Sequence, residues 1–366
     1  MAFKLYYTTL VVLILLVATH AQNQTNLPYT LVKNYTGQAF FDGFDFFSGP
    51  DPSASFVKYV DLDTANNAGM AGYVSNSELA DPVYLGPEFS SITPDGRPSV
   101  RLQGKDFFNH SLMIADIVHM PYGCGVWPAF WLLGQGAPWP TAGEIDIIEG
   151  INNESMSTFA LHTDAGVTVK NLTNMQHGNQ SMEMEGTFTS LDCSVGSSNT
   201  GCAAKASWNN YGQEFNANGG GVVVTEVSSK AIQIWSFSRD NIPGDILDGT
   251  PNPHHWSPPE VKFVYNGNDT DILDQHFKNL QPIFNIAFCG AWANSVWNTS
   301  ECASLAPTCE SYVANNPTAF VDTFWAIGEL QVYEPNSNST SGYGGPELDS
   351  ESAITLVPLA AHHLGS

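Results

Sequence analysis

The sequence predicts an all-β fold, a sandwich or a barrel built from many short strands. Short β-branched or aromatic segments recur along the chain, and clusters of Gly, Pro, Asn and Asp separate them. Few long windows keep the 3.6-residue period of an amphipathic helix. Many short strands bounded by turn signals are typical of sandwiches and barrels.

The predicted strands follow one another from the first third of the chain to its last. They are SVRLQ (99–103), SLMIADIVHM (111–120), GVWPAFWLL (125–133), EIDIIEG (144–150), STFALHT (157–163), AIQIWSFSR (231–239), VKFVYNG (261–267), PIFNIAFCG (282–290) and FWAIGELQVYE (324–334). The stretch LDQHFKNL (273–280) is predicted to form one short helix. No internal repeat of fixed period is visible.

The two ends of the chain differ in composition from its centre. Residues 1–21 place one cation, Lys4, before an apolar run that ends in small residues, which predicts a secretory signal peptide. A membrane anchor is the alternative, but the run is short for a span. Residues 22–335 are the predicted catalytic domain, and the Ser- and Gly-rich residues 336–366 the predicted flexible tail. A lipid-anchor signal is the alternative for the tail. We expect a protein that is secreted to the extracellular space or the cell wall.

The charge restricts the partners. The formal net charge is −24, while charged residues make up 13% and aromatic residues 12% of the chain. Such a surface repels nucleic acid phosphates and anionic lipids. It suits a neutral extracellular substrate, and aromatic rings stack on sugars as well as filling β cores. We expect no nucleic acid or membrane partner, and a monomer.

Cysteines and sequons agree with secretion. Several N-x-S/T sequons occur, so we expect a glycoprotein. Six cysteines in a secreted chain predict disulfides, and the lack of a CxxC pair disfavours zinc. Cys193 and Cys202 bracket a polar loop and are predicted to pair. The other four, for which several pairings stay open, are Cys124, Cys289, Cys302 and Cys309.

The segment TAGEIDIIEG (141–150) places three acids among isoleucines. As a strand, Glu144 and Asp146 point to one face, but Glu149 falls on the other by alternation. Burying Glu149 unpaired costs several kcal/mol. A β-bulge with one extra residue, at Ile147 or Ile148, would return Glu149 to the face of the other two acids.

Three acids on one face predict acid–base chemistry. Carboxylates that are close together repel, so their pKa values spread apart, and one becomes a proton donor while another stays ionised. Glycoside hydrolysis requires such a pair. Carboxyls about 5–6 Å apart would give retention of configuration and roughly 6.5–9.5 Å inversion, and the sequence leaves both open. A calcium-binding strand is the structural alternative, although calcium needs six to eight oxygens.

The run GVWPAFWLLGQGAPWPTAGEIDIIEG resembles glycoside hydrolase family 16, in particular fungal endo-1,3(4)-β-glucanases of the laminarinase kind. The acidic motif with its Trp-rich prelude is specific, and weaker similarity extends over residues 28–335. The resemblance implies a jelly-roll β-sandwich with a concave sheet that forms the sugar cleft. It also implies that Glu144 is the nucleophile, Glu149 the general acid/base and Asp146 a partner that tunes the nucleophile. His162, in FALHT, matches a histidine beside these acids; a packed core histidine is the alternative.

Aromatic residues are the candidates for sugar binding. We expect Trp127, Trp131, Trp139 and Trp292 to contact substrate and Arg101 to hydrogen-bond sugar hydroxyls, with core burial or simple exposure as the alternatives. Trp235 and Trp256 are further candidates, which either contact sugar or are buried in the core. Relatives often carry an acid before the residue equivalent to Trp292, where this chain has Ala291.

The sequence therefore predicts a secreted, retaining endo-β-glucanase that acts on β-1,3-glucan. Whether the enzyme also accepts mixed β-1,3/1,4-glucan is left open by the sequence. The alternatives are a cell-wall glucan transglycosylase on the same fold, a non-catalytic β-glucan-binding protein, and a structural wall glycoprotein whose acids bind calcium. No cofactor is expected. The resemblance leaves room for a structural calcium ion, for which the sequence has no local signature.

Overall fold

A computed structural model describes residues 27–74, 81–174, 182–196 and 200–336. The predicted signal peptide lies outside the described residues, as does nearly all of the predicted tail. Two antiparallel sheets form a sandwich, which confirms the predicted all-β sandwich. Within the described residues, no helix has both the length and the hydropathy of a membrane span.

The front sheet has eight strands and carries the acidic motif. In spatial order they are β12 (Thr187–Ser190), β13 (Cys202–Lys205), β11 (Thr158–His162), β10 (Glu144–Glu149), β9 (Val126–Gly134), β17 (Leu280–Phe288), β7 (Arg101–Gly104) and β2 (Phe44–Phe46). The acids therefore lie in the middle of the sheet, where neighbouring strands on both sides fix their positions.

The back sheet also has eight strands. In spatial order they are β16 (Val261–Phe263), β15 (Ile232–Ser238), β14 (Gly221–Val227), β8 (Ser111–His119), β18 (Trp325–Pro335), β5 (Val83–Leu85) and β4 (Ala71–Tyr73), with β1 (Tyr29–Thr36) also paired to β18. A separate parallel pair is formed by β3 (Val57–Tyr59) and β6 (Arg97–Ser99). Since β1 pairs with β18, the first and last described strands close the sandwich together.

Helices are short and lie in the connections. They are α1 (Leu62–Asn67), α2 (Gly212–Ala217), α3 (Gly244–Leu247), α4 (Ile272–His276), α5 (Gly290–Val296) and α6 (Cys309–Asn315). The 3₁₀ turns are Gly37–Ala39, Phe41–Gly43, Arg239–Asn241, Pro253–His255, Trp297–Thr299, Glu301–Ser304 and Pro317–Phe320. The predicted helix over 273–280 is wrong for its second half, because Asn279 adopts a left-handed φ of 50° and Leu280 begins β17.

The main core fills the space between the sheets, and a second cluster covers the outer side of the back sheet. Alternation separates them on β15, where Ile232 and Ile234 join the main core while Trp235 and Phe237 join the outer cluster. Trp256 packs onto the outer cluster from the segment before β16.

Three disulfides tie the connections together. Cys193–Cys202 is the predicted pair, and its bond is present. Cys124–Cys302 and Cys289–Cys309 join the helical segment after β17 to the rest of the domain. The described residues contain no free cysteine.

Candidate active site

The open face of the front sheet is defined on β9 by the residues that alternate away from the main core. They are Trp127, Ala129, Trp131 and Leu133, while the intervening Val126, Phe130 and Leu132 are fully or almost fully buried in the core. This alternation is the period of two expected of a strand with two different faces.

All three acids of β10 lie opposite open-face residues of β9. The pairs are Glu144 with Leu133, Asp146 with Trp131, and Glu149 with Ala129. The register shifts between Asp146 and Ile148, so that Ile147 is an extra residue without a partner on β9. Because directly opposed residues share a face, this bulge returns Glu149 to the side of the other acids.

The isoleucines of the motif anchor the strand from below. Ile145 and Ile147 are fully buried, and Ile148 is almost so. Ile148 lies opposite Phe130, whose ring stacks on Phe284 at 4.3 Å. The bulged backbone is therefore held by core packing, independently of the acids above it.

His162 lies beside the acids from the neighbouring strand β11, directly opposite Glu144. Its Nε2 is 3.1 Å from Asp146 Oδ2 and 4.0 Å from Glu144 Oε1. The contact with Asp146 has an ion-pair distance but not hydrogen-bond geometry, since the buried Oδ2 has no hydrogen-bond partner among the described residues. That oxygen can therefore carry a proton, or it can accept a hydrogen bond from His162 after a small shift of the imidazole.

Each glutamate has an indole donor of its own. Trp139 Nε1 donates to Glu144 Oε2 at 2.9 Å, and Trp127 Nε1 donates to Glu149 Oε1 at 2.7 Å. Trp139 follows β9 in the loop before β10 and is 46% exposed. An N–H group that donates to a carboxylate favours its ionised form, so both indoles oppose the effect of burial.

Burial is the main influence on the acids. It raises the pKa of Glu144 to about 8, with further upward contributions from Asp146 and Glu149 and downward ones from His162 and Trp139. Burial alone raises the pKa of Asp146 to about 8. The pKa of Glu149 is raised to about 8 by burial and then by Asp146, against the Trp127 hydrogen bond. The sequence predicts that these pKa values spread apart, whereas in the structure all three are raised.

The same residues are the place where a metal could bind. Among the described residues, Glu144, Asp146 and His162 have ligand atoms within 4.8 Å of one another. They offer one nitrogen and carboxylate oxygens, fewer than the six to eight oxygens of a calcium site. The donor set therefore does not fit calcium, and no step of the chemistry below uses a metal.

The floor beside the acids is built from rings and one amide. Trp131 Nε1 donates to Asn285 Oδ1 at 2.7 Å. Arg101 lies over the rings of Phe47 and Trp131, at 4.8 and 5.0 Å from their centroids, and is only 6% exposed. The expected contact of Arg101 with sugar hydroxyls stays a prediction, but its position against the Phe47 and Trp131 rings is that of a support for the floor.

Trp292 reaches the site from α5 and contacts Trp127 edge to face, with ring centroids 5.9 Å apart. Trp127 therefore touches both Glu149 and a second partly exposed ring. By contrast, Trp235 is 3% exposed in the outer cluster and Trp256 packs onto it, so neither lies at the acids.

Gly201 is a site residue that the sequence does not signal. Its φ is 59°, and a Cβ there would lie 2.2 Å from the Leu161 carbonyl oxygen and 2.9 Å from His162 Nδ1. It precedes Cys202, whose disulfide to Cys193 closes this loop against β11. The backbone of Gly201 thus packs beside Nδ1 of the imidazole, whereas Nε2 faces the acids. The sequence does not signal Asn285 either, because only the pairing of β17 with β9 brings it to Trp131.

The structure thus brings together Glu144, Asp146, Glu149 and His162, with Trp127 and Trp139 in direct contact with the glutamates.

Residues 44–333 match the family model described as the XgeA-like, catalytic GH16 domain. An endo-1,3(4)-beta-glucanase of Arthroderma benhamiae is 38% identical over 321 residues, which are 85% of this chain and 66% of that protein. This chain thus spans about two thirds of that relative's length.

Two solved structures are similar over nearly their whole length. An elongating GH family 16 beta-1,3-glucosyltransferase is 36% identical with a TM-score of 0.74, covering 83% of this chain and 99% of that one. Laminarinase 16A of Phanerochaete chrysosporium, with 6-O-glucosyl-laminaritriose in donor and acceptor sites, is 35% identical with a TM-score of 0.74. That match covers 84% of this chain and 99% of the laminarinase. The fold is thus the predicted jelly-roll sandwich, and the chain belongs to glycoside hydrolase family 16.

Proposed function

We propose that the domain is a secreted, retaining endo-β-glucanase that hydrolyses β-1,3-glucan, and mixed β-1,3/1,4-glucan as a second substrate. One observation carries the proposal: the bulge at Ile147 places Glu149 on the same face as Glu144, and each carboxylate receives its own indole hydrogen bond. The family membership and the likeness to a laminarinase and an endo-1,3(4)-beta-glucanase support the choice of substrate.

In the first step Glu149 acts as the acid. Its raised pKa keeps a proton on the carboxyl at neutral pH, and this proton goes to the glycosidic oxygen as the bond to the anomeric carbon breaks. Glu144 attacks the same carbon and forms a glycosyl ester, so that the leaving chain departs as an alcohol. Glu149 ends the step ionised.

In the second step Glu149 acts as the base. It takes a proton from a water molecule, whose oxygen attacks the anomeric carbon, and the bond to Glu144 breaks. Two inversions give net retention. The sugar leaves as a hemiacetal, Glu144 as a carboxylate and Glu149 with its proton restored.

Asp146 and His162 tune the nucleophile. Asp146 holds a proton because burial raises its pKa, which removes its repulsion of the Glu144 carboxylate. His162 and the Trp139 indole lower the pKa of Glu144. His162 and the Trp127 indole lower the pKa of Glu149 as well, so Glu144 is assigned as the nucleophile by the family motif and not by these pKa shifts.

The aromatic residues form the proposed sugar subsites. Trp139 is exposed beside Glu144, while Trp127 and Trp292 meet at right angles beside Glu149. The apolar faces of glucosyl rings stack on such indoles. At Ala291, where relatives often carry an acid, this chain offers a substrate no carboxylate.

Transglycosylation is the second candidate, because the chain is similar to an elongating beta-1,3-glucosyltransferase. The same acids serve both reactions, and the acceptor decides between them. Hydrolysis produces one reducing end for each bond broken, whereas transfer produces longer chains without that increase. A non-catalytic glucan-binding protein is disfavoured, since both glutamates are present on the open face.

The test incubates the pure protein with laminarin, lichenan and carboxymethylcellulose, with Glu144→Gln as the control. We expect new reducing ends from laminarin, fewer from lichenan and none from carboxymethylcellulose. Proton NMR of the first product should show the β-anomer. An α-anomer would contradict the retaining mechanism, and equal rates in Glu144→Gln would contradict its role as the nucleophile.

A further inference from the structure

A cavity outside the active site lies where β15 ends, between the segment after β13 and the segment before β16. Its volume is about 570 Å³, within the usual range of ligand sites. Phe237 at the end of β15 forms one wall, while Trp208 and Trp256 enter from the two flanking segments. We call it the Trp208–Trp256 cavity. Its β15 wall belongs to the back sheet, whereas the acids lie on the front sheet.

Each of the two indoles lies beside a carboxylate of the protein, and that of Trp256 is fixed by it. Trp256 Nε1 donates to both carboxylate oxygens of Asp245, at 2.9 and 3.0 Å. The Trp208 side chain lies near the buried Glu260 carboxylate and lowers the pKa of that group against the larger effect of burial. Because the N–H group of Trp256 is already used, that ring has only its π face to offer a ligand.

Packing limits the orientation of the Trp256 ring further. It stands nearly perpendicular to Trp235 and Phe237, with ring centroids 5.3 and 5.6 Å apart. Both of those rings are buried in the outer cluster. A preorganised ring loses little conformational freedom when it binds a ligand.

The polar side chains of the cavity carry hydroxyl, amide and imidazole groups. None of its lining residues, which all lie in the described part of the chain, is Lys, Arg, Asp or Glu. The buried Oγ of Ser236 has no hydrogen-bond partner among the described residues. Asn241 and His255 are exposed at the cavity and can bind hydroxyls. Fixed rings with hydroxyl, amide and imidazole groups suit an uncharged polyol with apolar ring faces, and not a phosphate or carboxylate.

From these features we infer that the Trp208–Trp256 cavity is a second β-glucan-binding site, which holds glucosyl residues of a chain away from the catalytic acids. The inference rests on the proposed function for the choice of β-glucan. A second point of attachment raises the local concentration of a polymer at the enzyme, and it has no such effect on a short oligosaccharide that fills one site.

Calorimetric titration of Glu144→Gln with laminarihexaose tests the inference. We expect two sites in this variant and one when Trp208→Ala is added. The ring-keeping Trp208→Phe should retain the second site, and Tyr73→Ala, an exposed ring at the opposite edge of the back sheet, should leave both. A single site in Glu144→Gln, or two sites in a folded Trp208→Ala protein, would overturn the inference.

Hydrolysis gives the second readout. With intact Glu144, Trp208→Ala should lower the rate on insoluble β-1,3-glucan by about tenfold, the ratio that 1.4 kcal/mol gives, and leave laminaritetraose unaffected. Equal losses on both substrates would overturn the inference. A crystal of Glu144→Gln soaked in laminarihexaose should show sugar in the cavity, which tests the site without altering it. Absence of hydrolysis by the unaltered protein would defeat the proposed function alone, because the titration does not depend on turnover.

Discussion

Deletion of Ile147 should leave the three acids in phase. Ile147 has no partner on β9, while its neighbours Asp146 and Ile148 pair with consecutive residues of that strand. Removing it joins them in regular alternation, so that Ile148 stays opposite Phe130 and Glu149 stays on the open face. Deletion of both Ile147 and Ile148 should instead turn Glu149 toward the core.

The structure sets the size of each effect. Ile147 is fully buried, so its loss should lower the free energy of unfolding by about 2–5 kcal/mol, the range for large truncations in a core. The double deletion would add an unpaired carboxyl opposite Phe130, at a further cost of several kcal/mol. A shift of about 1 Å in the acids lowers the rate by roughly 100-fold, which is the largest loss we expect of the single deletion.

The assay compares thermal unfolding and kcat/KM on laminarin for the unaltered protein and both deletions. The single deletion should be less stable but measurably active, and the double deletion should be inactive even where it folds. A single deletion that folds with no activity would refute the reasoning from register. An active double deletion would do so as well, since Glu149 would then not depend on the phase of β10.

Three further predictions concern the groups around the acids. Gly201→Ala should lower both the melting temperature and kcat/KM, because the added Cβ meets the Leu161 carbonyl and the imidazole, whereas Gly244→Ala, with nothing within 4 Å, should change neither. In the unaltered protein the melting temperature should fall as the pH rises from about 4 to 8, because the pKa of Asp146 is about 8 in the folded protein and 3.8 in the unfolded chain. Asp146→Asn should make this fall smaller. An unchanged slope would contradict this. Trp139→Phe removes the hydrogen bond to Glu144, so kcat should fall roughly 10-fold and the acidic limb of the pH–rate profile should move to higher pH. A profile that stays in place would argue against that contact.

Much of the fold could be predicted from local patterns. The strands of the front sheet alternate apolar and open-face residues, and their turns carry Gly, Pro and Asn. The bulge was predictable because Glu149 is out of phase by one residue, and only an unpaired residue restores it. The pairing of Cys193 with Cys202 was predictable because both flank one short polar loop.

The rest depends on contacts between distant segments. Asn285 supports Trp131 across a strand pair, and Gly201 touches His162 only because β13 pairs with β11. Neither residue has a local pattern that distinguishes it. An arginine is expected at the surface, yet the rings of Phe47 and Trp131 cover Arg101. The two long-range disulfides could not be chosen from spacing alone.

Trapping the glycosyl-enzyme tests the central claim most directly. In a 2-deoxy-2-fluoro laminaribioside the fluorine slows both steps, while a good leaving group keeps the first step fast enough for the glycosyl-enzyme to accumulate. Peptide mass spectrometry should then find one fluoroglycosyl group on Glu144, and Glu149→Gln should still accumulate it when the leaving group needs no acid. Label on Glu149, or rapid turnover without a covalent adduct on any peptide, would contradict the assignment of the two glutamates.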